Sequence, residues 1–308
     1  MRVPRLVLLC LAALVCACKA QPGAIAAADA GATGAAASLS PSLAPSSRPY
    51  GLHVPAGWDR ARPAPLVLFF HGYGGTGATA AAMLRLQDLS DASGFVLAFP
   101  DGTLDRQSRR FWNATSACCD FEGQGVDDVA YASWIIDDVA GKLPIDRKRV
   151  YAMGHSNGGF LALRLACDLA PRIAAAVSLA GAGWKDDGKC QPSEPVSVLQ
   201  VQGDADPIVH YDGGVLFDRP SREYPGALAT VDSFAAKDHC PGPRSPVGPP
   251  WDFDLLEAGK ETTASAYAGC PPGISVMLWT VAGGSHFPSP TPDGLNALWV
   301  WMAAHPES

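Results

Sequence analysis

Val150-Tyr151-Ala152-Met153-Gly154-His155-Ser156-Asn157-Gly158-Gly159 reads as a buried strand that turns sharply and opens a helix. A serine on so tight a turn must adopt a strained backbone, and bulky neighbours two residues away would clash with it. Gly154 and Gly158 remove that obstacle, and Gly159 gives further room. The helix N-terminus then offers backbone N–H groups to a developing negative charge. The pattern is that of a nucleophile elbow, with Ser156 as nucleophile.

Working outward, Tyr50 to Pro55 reads as a leading strand, and Pro65 to Phe70 as a continuous apolar run suited to a strand covered on both faces. A helix is expected from Ala78 to about Ala92, then a strand over Phe95 to Phe99. Asp101 to Val126 is irregular. Asp127 or Asp128 caps a helix with apolar positions Val129, Ala132, Ile136, Val139 and Leu143. After the elbow come a helix from Phe160 to Leu169, strands from Ile173 to Leu179 and Val196 to Val201, and a helix from Ala227 to Asp238. The last strand runs from Ile274 to Val281 and the last helix from Gly294 to Ala304. Alternating strands and helices predict an α/β fold with a doubly wound, mostly parallel sheet, whose chemistry sits at the carboxyl ends of the strands. Only Ala180 to Pro195 separates two of the strands where such folds often insert a lid, so no lid domain and an open site are expected.

A serine hydroxyl needs a base, and on this fold the partners follow in the order Ser, acid, His, each past a later strand. Asp206 follows the Val196 to Val201 strand, and His286 follows the Ile274 to Val281 strand. Asp204 is the alternative acid, its other use being to form the turn. The loop His71-Gly72-Tyr73-Gly74-Gly75 is placed to present the backbone N–H of Tyr73 beside that of Asn157, as a two-donor oxyanion hole. The same loop contains Gly72-x-Gly74-x-x-Gly77, which matches a dinucleotide fingerprint. Of its acidic candidates, Asp88 and Asp91 fall in a predicted helix and Asp101 comes later than a ribose-binding acid should, and the fingerprint leaves Ser156, Asp206 and His286 unexplained. No cofactor is expected. No cysteine or histidine spacing suggests a metal site.

The chain has 308 residues, 48% hydrophobic and 17% charged, which suits one large folded domain over residues 48–305. Its net charge of −7 and scattered Lys and Arg argue against nucleic acid as a partner. Residues 1–18 read as an export signal, with Arg2 and Arg5 ahead of an apolar run too short to span a bilayer. Loss of those two arginines takes the net charge from −7 to −9. Val15-Cys16-Ala17-Cys18 resembles a bacterial lipobox, in which Cys18 is lipidated and tethers the protein to a membrane; cleavage near Ala20 is the alternative. Residues 19–47, rich in Ala, Gly, Ser and Pro, read as a flexible linker. Six cysteines remain beyond the signal, an even number that suggests disulfides in an exported, monomeric protein.

Phe99-Pro100-Asp101-Gly102-Thr103, Trp112-Asn113-Ala114, Ala117-Cys118-Cys119, Val126-Asp127-Asp128-Val129, Gly154 to Gly159 and Asp206-Pro207-Ile208-Val209 together resemble the polyhydroxybutyrate depolymerase/feruloyl esterase family. The resemblance runs from about Arg48 to Ala304. It implies an α/β-hydrolase fold and hydrolysis of carboxylic esters by Ser156, Asp206 and His286. Bacterial members of the family include lipoproteins, which fits Cys18. The expected substrate is a feruloyl or related polysaccharide ester, with poly(3-hydroxybutyrate) or its oligomers as the alternative and a non-catalytic binding protein as a further one. Phe287 stands where the family commonly has Trp, and Tyr73 where it has a small residue or Cys. Phe111, Trp112, Trp184, Tyr211 and Phe287 are expected to line the site. Cys240 is expected to pair with Cys270, and Cys118 or Cys119 with Cys167 or Cys190.

Overall fold

A computed structural model describes residues 48–307. The signal, the Cys18 lipobox and the linker lie outside the described residues.

In chain order the elements are β1 (Tyr50–His53), β2 (Ala64–Phe70), α1 (Gly77–Met83), α2 (Leu86–Ser93), β3 (Val96–Pro100), β4 (Thr103–Leu104), β5 (Arg110–Phe111), α3 (Asp128–Lys142), β6 (Ile145–His155) and α4 (Asn157–Asp168). They continue with β7 (Ala175–Leu179), β8 (Ser197–Gly203), β9 (Gly213–Val215), β10 (Glu223–Pro225), α5 (Ala227–Lys237), β11 (Arg244–Pro246), β12 (Thr262–Tyr267), β13 (Val276–Val281) and α6 (Pro292–Ala303). The main sheet has nine strands in the order β1-β3-β2-β6-β7-β8-β13-β12-β11. The six from β3 to β13 pair in parallel; β1 and β12 join them antiparallel at the two edges, and β11 pairs antiparallel with β12. This is the α/β-hydrolase architecture, a doubly wound and mostly parallel sheet.

Alternation along the strands divides the interior in two. Leu66, Leu68 and Phe70 of β2 pack with α3, α4 and α5, while Val67 and Phe69 pack with α1, α2 and α6. Each central strand is apolar on both faces because helices cover both. The chain winds from β2 to β3 in one direction, then crosses back to β6 on the other side of β2. Strand order therefore reverses between β2 and β6, and a crevice opens at their carboxyl ends. The Tyr73 loop follows β2 and Ser156 follows β6, so both lie at that crevice.

Three local features differ from expectation. The helix expected over Ala78 to Ala92 is broken at Arg85, which has φ 53°. Leu84 and Leu86 are both buried, yet in one continuous helix they would point about 200° apart. The break lets both face the core. The strands β11 and β12 were not foreseen, since Pro241 to Pro250 reads as loop and β12 is only half-buried, with no long apolar run. Finally, Cys118 and Cys119 are bonded to each other, and Cys167 to Cys190, instead of crosswise. Cys119 is held at Trp112 by a backbone hydrogen bond, beside the start of α4, whereas Cys167 lies roughly 15 Å further along that helix. Cys240 pairs with Cys270 as expected.

Candidate active site

Ser156 sits between β6 and α4 with φ 54° and ψ −121°, a strained conformation for a side-chain-bearing residue. A Cβ on Gly154 would collide with the Gly158 carbonyl, and one on Gly158 with the Phe70 carbonyl. The elbow therefore closes against β2 only because both positions lack side chains. The Ser156 N–H donates to Leu179 O on β7 at 2.8 Å, which fixes the turn to the sheet.

Long-range contacts complete the constellation. His286 Nε2 lies 2.8 Å from Ser156 Oγ, and His286 Nδ1 lies 2.8 Å from Asp206 Oδ2. Asp206 and His286 are both buried, while Ser156 is partly open to the cleft. The Asp206 carboxylate also accepts the N–H groups of Ile208 (2.8 Å) and Val209 (2.9 Å), and the amide of Gln202 (2.9 Å). Burial pushes its pKa up, but the hydrogen bond and charge of His286 and those two N–H groups outweigh this, so it lies below the ordinary range. Asp204 is not in this line. Its Oδ1 accepts the Gly283 N–H at 2.7 Å and ties the loop after β8 to the loop after β13.

His155, inside the elbow, reaches across the cleft floor. Its Nε2 donates to the His286 carbonyl at 2.7 Å. Burial, then repulsion from His286, lowers its pKa to about 4, so it is neutral with the proton on Nε2. His71 is also neutral, with a pKa lowered to about 4 chiefly by burial. Its Nδ1 donates to Gly72 O at 2.7 Å and its Nε2 accepts the Gly102 N–H at 3.0 Å, so it braces its own loop.

Next to Ser156 is a cavity of about 160 Å³. Its far wall is apolar: Phe160, Val209, Leu216, Phe217 and the Cys118–Cys119 disulfide. Tyr73 borders it, with its hydroxyl turned away to Asp105 at 2.5 Å. A second recess, a groove of about 370 Å³, adjoins it and shares Gly72, Tyr73, His155 and Phe287 as walls. As expected, the segment between β7 and β8 holds only a short 3-10 turn, Asp187–Lys189. Leu216 and Phe217 reach the cavity from the segment after β8, near the β9–β10 hairpin.

Of the aromatic residues expected to line the site, Phe287 does so, 58% exposed and edge-on to His286. The others lie elsewhere. Trp112 is fully buried; its indole N–H donates to His71 O at 2.9 Å, and its backbone is clamped on both sides by the Asn157 amide. It is a strut between the Tyr73 loop and α4. Phe111 is buried in the same core. Trp184 packs half-buried below Arg164 and Lys189, away from the cavity. Tyr211 uses its hydroxyl on Thr280 at 2.8 Å. Gln202, the bridge from His155 to His286 and the cystine wall were not foreseen. Gln202 had a sequence signal: Gln200 and Gln202 are two glutamines on one face of a strand whose intervening residues are apolar, near its carboxyl end.

The sequence matches the family described as Esterase PHB depolymerase over residues 48–236, more than half of the chain. The putative esterase NocK of Nocardia uniformis subsp. tsuyamanensis is 28% identical over 249 residues, 78% of this chain and 70% of that protein. Feruloyl esterase B of Piromyces equi is 29% identical over 238 residues, 75% of this chain but only 41% of that longer protein. Among solved structures, an acetyl xylan esterase from Aspergillus awamori superposes with a TM-score of 0.57 over 83% of this chain and 93% of that one. At 14% identity that likeness speaks for the fold alone. With a family match of this extent over the α/β-hydrolase scaffold, the chain belongs to the esterase PHB depolymerase family and is an esterase.

Proposed function

We propose that the protein is an exported serine carboxylic ester hydrolase in which Ser156, His286 and Asp206 form the catalytic triad. The observation that carries this reading is the unbroken line of two 2.8 Å hydrogen bonds from Asp206 through His286 to a serine on a strained elbow. Ser156 Oγ attacks the ester carbonyl carbon as His286 Nε2 takes its proton. Asp206 holds the Nδ1–H and balances the positive charge formed on the ring. The carbonyl oxygen, now an oxyanion, receives the backbone N–H groups of Tyr73 and Asn157. Collapse of the intermediate breaks the bond to the leaving oxygen, which takes the proton from His286 and departs as an alcohol. Water then repeats the sequence on the acyl-Ser156 ester and releases the carboxylic acid.

The apolar far wall of the cavity suits an aryl or alkyl acyl group, so a feruloyl or related ester carried on a polysaccharide is the first substrate reading. The names of relatives, a feruloyl esterase and an acetylxylan esterase/xylanase, support it. The alkyl character of Ile208, Val209 and Leu216 favours a second reading, hydroxybutyrate oligomers. Three disulfides among the described residues support a location outside the reducing cytoplasm. Tethering through a lipidated Cys18 belongs to the same proposal.

The test is turnover of methyl ferulate, acetylated xylan, hydroxybutyrate oligomers and short nitrophenyl esters by the mature protein and by Ser156→Ala. The substitution is expected to lower turnover on the order of a millionfold. Normal activity in the variant overturns the assignment of Ser156, and the preferred ester decides between the two substrate readings.

A further inference from the structure

We propose that the groove beside the cavity binds the alcohol part of the ester, and that this part is an apolar chain. The proposal rests on the ester hydrolase reading above, and of its two substrate readings it favours the hydroxybutyrate oligomer, whose alcohol arm is an alkyl chain, over the polysaccharide ester, whose alcohol arm is a sugar.

An ester has two arms, and the site has two recesses. Ser156 lines the cavity and not the groove. The acyl arm stays bonded to Ser156 after the first half-reaction, so it belongs in the cavity that Ser156 lines. The alcohol arm departs with a proton from His286 Nε2, and it needs a path away from the acyl arm. Phe287, edge-on to His286 at 5.0 Å, is a wall common to both recesses, and the groove begins on its far side.

The groove is chemically one-sided. Met83 and Leu84 of the α1 end form one wall, and Leu256, Phe287 and Pro288 the other. Among the described residues, no charged side chain lines it. The hydroxyls of Thr76 and Thr79 are bonded to each other at 2.9 Å. A sugar entering here would lose water from several hydroxyls and find few partners, whereas an alkyl chain loses nothing. Met83, Leu256 and Phe287 are 71%, 68% and 58% exposed, a concentration of large apolar side chains around one depression. The wall is held in place by hydrogen bonds: Asp254 Oδ1 accepts the N–H groups of Leu256 (3.1 Å) and Ser289 (3.0 Å), and the Leu255 N–H donates to Ser289 O (2.9 Å). The turn carrying Leu256 is thus tied to the loop carrying His286.

Three esters of one acyl group test this: methyl, hexyl and arabinosyl. Because the acyl-enzyme is the same for all, differences in kcat/KM belong to the alcohol arm. The hexyl ester is expected to exceed the methyl ester by tenfold or more, since each methylene buried is worth up to about fourfold. The arabinosyl ester should fall below the hexyl ester. The double variant Met83→Asp with Leu256→Asp changes two exposed side chains outside the triad. It should abolish the hexyl advantage and leave methyl ester turnover within about twofold. A hexyl ester no better than methyl, a preferred arabinosyl ester, or an equal loss on both alkyl esters in the double variant would each overturn the proposal. Absence of turnover on every ester would instead fail the hydrolase reading and remove the ground under this one.

Discussion

The two sides of the cleft floor are built by different means. On the β2–β6 side, the elbow is made by backbone: Gly154 and Gly158 allow close approach, and Ser156 takes a positive φ at the start of α4. On the β8–β13 side, the arrangement is made by side chains far apart in sequence. His286 and Asp206 are 80 residues apart, and His286 and Ser156 are 130 apart. The first side is a local property of about ten residues. The second exists only when strands β8 and β13 are paired and their loops joined through Asp204. A backbone device tolerates few substitutions but signals itself in sequence; a side-chain device is chemically ordinary until the sheet assembles it.

The largest effect on this contrast should come from Asp206→Asn. The amide keeps the shape but cannot balance the charge or impose the same tautomer on His286, and turnover should fall about ten-thousandfold. Steady-state kinetics on a short nitrophenyl ester measure it, with unchanged thermal unfolding as the control. A fall of less than tenfold would make Asp206 a structural carboxylate and leave the elbow side to work without it.

His155 joins the two sides, so His155→Phe probes their coupling. The ring volume stays close to the original, but the His286 carbonyl loses its donor in a buried place, which costs about 1–3 kcal/mol. We expect kcat to fall about tenfold with little change in KM, and His155→Gln, which can still donate, to recover part of it. Equal kinetics in all three proteins would mean that the two sides stand independently.

The smallest effect on activity is at the root of β8. Asp238 Oδ1 accepts the Val196 N–H at 3.1 Å, while burial raises its pKa to about 7. The folded value lies above the ordinary value of 3.8, so the folded protein holds this proton more tightly than the unfolded chain. The stability from that difference is complete below about pH 4 and is lost as pH rises to about 7. Asp238→Asn keeps the acceptor and cannot ionise. It should raise unfolding stability at pH 8 by roughly 2–4 kcal/mol and change little at pH 4. Equal gains at both values would show that charge is not the cause. Unchanged esterase activity would confine the effect to the scaffold.

Legibility in the sequence followed the same contrast. The parallel strands of the sheet, the elbow and the order Ser156, Asp206, His286 could be read because each follows from local pattern and from the direction of a parallel sheet. The aromatic lining could not. Trp112 and Phe287 are both aromatic residues in loops next to the motif, yet one is a buried strut and the other stands in the cleft. Nothing in their neighbours distinguishes them, because the difference lies in what the Asn157 amide and the His71 carbonyl require at a distance. The disulfides behaved alike. Cys240 and Cys270 had no competitors nearby, while the remaining four could be assigned only after α4 had separated Cys167 from the cleft.

Sequence by itself determined the class of fold, the strained turn at Ser156 and the order serine, acid, histidine, with Asp204 still beside Asp206 as the acid, since periodicity and glycine placement are local consequences of covalent geometry. Tertiary structure alone decided that His155 would hold His286, that Gln202 would reach Asp206, that two cysteines would wall the cavity, and that an apolar groove would open beyond Phe287. Those depend on contacts between residues tens to more than a hundred positions apart. Burial and hydrogen-bond demand select such contacts only once the whole sheet has closed.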